Sequence, residues 1–214
     1  MARRSTMRSS MIFSVLISGL LCSVPAVAQK SPEWTRCEGG SGITADQQID
    51  ACTSIIKSAS EPPQRLATAY LKRGVAMHAK DKYDEAIADY DQAIRLDPAN
   101  DAAWNNRCYS RAIIGQLKEA LTDCNESLRL NPNEAETLDS RGFTYLKLGQ
   151  LDLAINDYNA ALKVEPQSAD SLFGRGVARL RKGDTASGAA DIAAAKAIQN
   201  DIEEEFRRYG VTRP

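Results

Sequence analysis

The sequence predicts an all-α fold, a solenoid of stacked helix pairs, and three observations carry that reading. The chain aligns with itself without a gap in units of 34 residues that begin at Ala67, Asp101, Ala135 and Ala169. Within the units apolar residues recur at i, i+3 and i+7, as Ile87, Tyr90 and Ile94, then Leu121, Cys124 and Leu128, then Ile155, Tyr158 and Leu162. That spacing places them on one face of a helix. Finally, Gly115, Gly149 and Gly183 fall mid-unit and split each into two helices, whereas Pro98, Pro132 and Pro166 fall between units, where a helix cannot continue. Small residues recur where two helices would touch closely: Ala86, Ala120, Ala154 and Gly188 in the twentieth column, and Gly74, Cys108, Gly142 and Gly176 in the eighth.

In chain order, residues 1–28 read as a cleaved secretory signal. Arg3, Arg4 and Arg8 give a basic start, Met11 to Val24 an apolar middle too short to span a bilayer comfortably, and Ala26-Val27-Ala28 an A-x-A end, with cleavage before Gln29. The expected location is the periplasm or the exterior, with no stable membrane insertion after cleavage; Cys22 goes with the discarded peptide. Lys and Arg total 27 against 28 Asp and Glu, and loss of the leader's three arginines leaves a mature charge of −4. Such a chain lacks the positive field that drives binding to phosphate backbones, so nucleic acid is not an expected partner.

Residues 29–66 form an N-terminal segment. Within it residues 44–58 resemble a second helix of a unit without its first, since Gln48 to Ile56 aligns with Ala120 to Leu128, and Pro62-Pro63 ends it. Trp34 lies in the unpatterned stretch before that helix, where it can pack on the first helix or bind something. Units 67–100, 101–134, 135–168 and 169–202 follow. Residues 203–214 are the C-terminal capping helix and tail, with Asp201 and Glu204 as a capping box and Ile202, Phe206 and Tyr209 on one face.

Residues 67–202 resemble tetratricopeptide repeats, whose signature is W-x₂-L-G-x₂-Y, then A-x₃-F, then P, at a 34-residue period. The third unit matches it best, through Gly142, Tyr145, Ala154, Tyr158, Ala161 and Pro166. Two departures stand out: Arg73, Arg107, Arg141 and Arg175 hold a seventh column that is usually aliphatic, and the fourth unit has Asn200 for Pro and Gly188 for Ala. The layout as a whole, with a cysteine-bearing half-repeat ahead of the array, resembles exported tetratricopeptide proteins of Gram-negative bacteria. The resemblance implies a right-handed superhelix whose second, fifth, ninth, twelfth and thirteenth columns line a concave, partner-binding face. The fifth and ninth columns supply Leu71, Val75, Asn105, Tyr109, Asp139, Phe143, Phe173 and Val177. Carboxylate-clamp repeats place Lys and Asn on the inner face; Leu71, Val75, Tyr109, Asp139 and Phe143 stand in the corresponding places here, so that activity is not carried over.

Four cysteines remain in the mature chain, and an even number in an exported protein favours disulfides. In an antiparallel hairpin facing columns have a nearly constant sum, so the eighth faces the twenty-fourth. Three units fill that pair with Gly74 and Tyr90, Gly142 and Tyr158, and Gly176 and Ile192; the second changes both members, to Cys108 and Cys124, which predicts a bond between them. Cys37 with Cys52 follows by elimination, and because Cys52 aligns with Cys124. The arginine column is matched by Asp89, Asp123, Asp157 and Asp191 in the twenty-third, which predicts a structural guanidinium–carboxylate pair inside each hairpin in preference to a charged binding strip.

His78 is the one histidine, so a His-rich metal site is excluded, and no Cys or Ser stands at a spacing that makes it a general base. Asp81, Asp84 and Glu85 suit a loop and helix start without a metal. Trp104, in the large apolar fourth column, is expected in the core. The repeated columns offer no position that unites a nucleophile, a base and an oxyanion donor. The expected function is therefore an exported, non-catalytic interaction module that binds a protein or peptide on its concave face and needs no cofactor. The alternatives are an enzyme or accessory subunit of envelope assembly, or a small-molecule or glycan binder using Trp34, Tyr109 and Phe143.

Overall fold

A computed structural model describes residues 31–58 and 60–214. The expected leader, residues 1–28, and its expected cleavage before Gln29 lie outside the described residues. Eleven helices and no strand are found among the described residues: α1 (Pro32–Glu38), α2 (Ala45–Ser58), α3 (Pro63–His78), α4 (Tyr83–Leu96), α5 (Asp101–Ile113), α6 (Leu117–Leu130), α7 (Ala135–Lys147), α8 (Leu151–Val164), α9 (Ala169–Arg181), α10 (Thr185–Ile198) and α11 (Ile202–Arg208). From α3 to α10 they form four antiparallel hairpins, each packed on the next to make an α-solenoid.

The N-terminal segment is more complete than a half-repeat. Ser31 caps α1 by accepting the Trp34 N–H at 3.3 Å, and Pro32 suits its first turn. A disulfide between Cys37 and Cys52, with Cα atoms 4.7 Å apart, joins α1 to α2. The expectation of a second helix without its first is thus corrected: α1 is a two-turn partner that no periodicity announces, because seven residues are too few to show one. Thr44 and Gln47 cap α2 reciprocally, at 2.9 and 3.2 Å. Trp34 is buried, donates from Nε1 to Glu61 Oε1 at 2.8 Å, and carries the Arg65 guanidinium 4.2 Å above its ring. It packs and is not a surface for ligands. Pro62-Pro63 serves α3 more than it ends α2, with Pro62 at the N-cap and Pro63 in the first turn, so the first repeat starts one turn ahead of its alignment.

Within each hairpin the turn falls in the fifteenth column. Gly115, Gly149 and Gly183 have φ of 88°, 73° and 90°, and in the first repeat Asp81 takes the same left-handed conformation at φ 59°. The close approach of the two helices depends on the eighth column. A Cβ on Gly74 would come within 2.5 Å of the Tyr90 ring and one on Gly142 within 3.1 Å of the Tyr158 ring, so these tyrosines pass directly over backbone; Tyr158 also seats against the next hairpin, where a Cβ on Gly174 of α9 would come within 2.3 Å of its hydroxyl. In the second hairpin a disulfide joins Cys108 to Cys124, with Cα atoms 5.4 Å apart, where the glycine and tyrosine would meet.

The arginine column does more than pair with its own hairpin. Arg141 donates from Nε and Nη2 to both oxygens of Asp157 at 2.7 and 2.8 Å, and its third nitrogen, Nη1, reaches back to Asn125 Oδ1 on α6 at 2.9 Å. The same fork joins Arg107 to Asp123 and Asp91, Arg175 to Asp191 and Asn159, and Arg73 to Asp89 and Thr53. Each guanidinium therefore ties three helices from two successive helix pairs, α1–α2 being the earlier pair for Arg73. Trp104 departs from its expected core place: it is half-buried, with Nε1 donating to the Pro98 carbonyl at 3.0 Å and the Arg107 guanidinium 4.7 Å over the ring.

Candidate partner-binding cleft

The first helices of the hairpins, α3, α5, α7 and α9, share one side of the stack, and a row of rings runs along it. His78 stacks on Tyr109 at 5.5 Å, Tyr109 meets Phe143 at 5.6 Å, and Tyr83 stands edge-on to His78 at 5.1 Å. The C-terminal segment lies against this row. Phe206 of α11 packs on Phe173 at 4.8 Å and edge-on to Phe143 at 5.7 Å, and Tyr209 meets both Tyr109 and Phe143 at 6.2 Å. Arg181 holds the tail by donating to the Thr212 carbonyl at 2.8 Å, and Val211 is buried. The Asp201 side chain makes no capping bond to α11, and Glu204 pairs with Arg207 instead, so the expected capping box is absent.

This arrangement sorts the eight residues expected on the binding face. Phe143, Phe173 and Val177 are fully buried in one cluster with Phe206, Tyr209 and Val211, and no incoming partner reaches them while the C-terminal segment stays in place. Sequence periodicity could not show this, because α11 stands outside the repeat. Leu71 is half-buried beside Ala93 and Trp104, and Val75 is exposed. Tyr109 is half-buried in the ring row. Asn105 and Asp139 stand elsewhere, in an open cleft of about 380 Å³ between α5, α7 and α9.

The cleft is lined by Asn105 and Tyr109 of α5, Glu136 and Asp139 of α7, Asp170 of α9 and Glu205 of α11, with Glu165 at its edge and no lysine or arginine among its lining residues. Asp139 accepts a hydrogen bond from Ser171 Oγ at 2.5 Å. Burial, followed by the charge of Asp170, raises the Asp139 carboxyl to about 8. Burial and the charge of Glu205 raise Asp170 to about 6. The side-chain oxygen of Asn105, a residue 7% exposed, is buried without a hydrogen-bond partner. Glu136, Asp170 and Glu205 were not singled out from the sequence. The first two belong to the second column, which the repeat pattern puts on the concave face; Glu205 carries no such signal.

His78 also differs from expectation. Its Nδ1 lies 2.8 Å from Ser110 Oγ, one repeat away, a proximity that 32 residues of separation conceal. Ser110 has no exposed surface, so an incoming carbonyl cannot reach its hydroxyl. Burial holds the His78 imidazole below its ordinary range, favouring the neutral ring. No group of three or more His, Cys, Asp or Glu could hold a metal ion among the described residues, and no helix among them is long and apolar enough to cross a membrane.

A family profile described as the TPR repeat matches residues 77–112 and 142–183. The fold is a tetratricopeptide-repeat solenoid. Solved structures agree. MamA from Desulfovibrio magneticus RS-1 (residues 41 to the end) is 18% identical with a TM-score of 0.61, covering 73% of this chain and 86% of its own. YrrB, titled a TPR protein with an unusual peptide-binding site, is 22% identical with a TM-score of 0.56 over 78% of this chain and 84% of its own. The first TPR of Spaghetti (RPAP3), bound to the HSP90 peptide SRMEEVD, is 25% identical with a TM-score of 0.54 over 56% of this chain and 95% of its own. No curated protein sequence matches the chain.

Proposed function

We propose that this tetratricopeptide-repeat protein is an exported, non-catalytic interaction module that binds a peptide or protein partner at the cleft between α5, α7 and α9. The observation that carries the reading is the cleft itself: it is open beside the C-terminal segment, and it gathers polar groups from three hairpins at one place. The contact set is then Asn105, Tyr109 and Asp139 with Glu136, Asp170 and Glu205, while Leu71 and Val75 extend it toward the first hairpin. Two disulfides in a chain with a signal-like leader support an oxidising compartment outside the cytoplasm. A relative in fold bound to a peptide, and another titled as having a peptide-binding site, support the class of ligand.

The test is affinity capture with the mature protein and with Asn106→Trp, which sets a large ring at the cleft wall where Asn106 now stands. A partner held by the native protein and lost with the variant, at an unchanged helical signal, is the expected result. Equal capture by both would remove the cleft from the account.

A further inference from the structure

The structure also bears on what such a cleft recognises, and this step rests on the cleft being the partner site. We infer that it takes a cationic side chain, the ammonium of a lysine or the guanidinium of an arginine presented by the partner.

Two independent observations lead there. The first is an imbalance of charge. The aspartates of the repeat column, Asp89, Asp123, Asp157 and Asp191, each receive a two-pronged guanidinium. Asp139 receives a serine hydroxyl, and the charged groups facing it are all acids: Glu136 on its own helix, Glu165 beyond the end of α8, and Asp170 on α9. Glu205 of α11, which accepts hydrogen bonds from Gln199 and Tyr209, adds its charge to Asp170, and the phenols of Tyr109 and Tyr158 belong to the titratable surroundings. Asp139 and Asp170 are half-buried, and carboxylates set side by side with reduced access to water are costly unless a cation joins them.

The second observation is Asn105. Its buried Oδ1 accepts hydrogen bonds and cannot donate them, so the partner it lacks is a donor. An ammonium offers three donors and a guanidinium five, enough to serve the amide oxygen and the carboxylates together. A volume of about 380 Å³ suits one long side chain and does not suit a whole peptide. The same field repels a peptide ending in carboxylates, such as the SRMEEVD bound by the RPAP3 repeat domain.

A cation at Asp139 favours its ionised form, so affinity should rise as pH climbs from 6 to 8. The probes are n-butylammonium and n-propylguanidinium, with butanamide and butyrate as neutral and anionic counterparts, followed by a Gly-Ser heptapeptide bearing a central Lys, norleucine or Glu. The readouts are the NMR signals of the Asn105 side-chain amide and calorimetric affinity at pH 8. The expected result is that both cations and the Lys peptide shift Asn105, and that Asp139→Asn and Asp170→Asn each weaken them at least tenfold with the helical signal intact. Equal shifts from butanamide, butyrate or the norleucine peptide would overturn the inference. A partner lost with Asn106→Trp but indifferent to both aspartate variants would overturn it while leaving the interaction module standing. Cation binding combined with partner capture that ignores Asn106→Trp would overturn it as a peptide site.

Discussion

Phe206 of the last helix packs 4.8 Å from Phe173 of the fourth repeat, and it thereby covers a face that the repeat pattern assigns to partners. The C-terminal segment is consequently part of the core. Phe206→Ala should destabilise the protein by about 3 kcal/mol, the range for deleting a buried ring. Thermal melting followed by circular dichroism checks this. An unchanged melt together with new partner binding would mean that the segment is a displaceable occupant of the groove.

The arginine fork should be worth more than a surface ion pair. Asp157→Ala leaves the half-buried Arg141 without its carboxylate and should cost about 3 kcal/mol. Asn125→Ala removes the arm to the preceding repeat alone and should cost about 1 kcal/mol. Denaturant unfolding of the two variants and their double mutant measures both terms. A cost below 0.5 kcal/mol for Asp157→Ala would reassign the column to binding.

The Cys108–Cys124 bond closes 16 residues and should contribute about 3 kcal/mol in the chain-entropy view. Replacing both with alanine removes that contribution and leaves a void. Cys108→Gly with Cys124→Tyr, the pair used by the first and third repeats, should recover part of the loss through packing. Comparing melting temperatures of the two double variants under oxidising conditions decides whether the positions are equivalent.

Stability should depend on pH through opposed groups. The folded state holds Asp139 and Asp170 protonated up to about 8 and 6, well above their ordinary range near 4. Their favourable contribution is full below about pH 4 and is lost as pH rises through those values. Depressed His78 acts the other way, contributing above its ordinary value near 6.5 and losing that contribution as pH falls through its lowered one. Asp139→Asn should therefore raise the melting temperature at pH 8, by about 3 °C for each kcal/mol recovered, and change little at pH 4. A parallel decline in both proteins from pH 4 to 8 would refute the assignment.

Intact-mass analysis of exported protein should show loss of 28 residues, as Ala26-Val27-Ala28 predicts. Detection of Arg8 in the mature species would place the start elsewhere.

Period, composition and spacing determined the helix pairs, the glycine turns and the facing of the eighth and twenty-fourth columns, because each follows from local geometry repeated every 34 residues. The resemblance to tetratricopeptide repeats put Asn105, Tyr109 and Asp139 on one side of the stack. It could not supply α1, which is too short to carry a pattern, nor the third contact of each arginine, which depends on how one hairpin seats against the next. Nor could it show that Phe206 and Tyr209 would turn back onto Phe143, since a nonrepeating helix has no column to compare with. Tertiary structure alone decided the cleft. Its carboxylates come from α7, α9, the turn after α8 and α11, and what sets them apart is their convergence on one cleft without a lysine or arginine in its lining, a property of the packed chain and of no single segment.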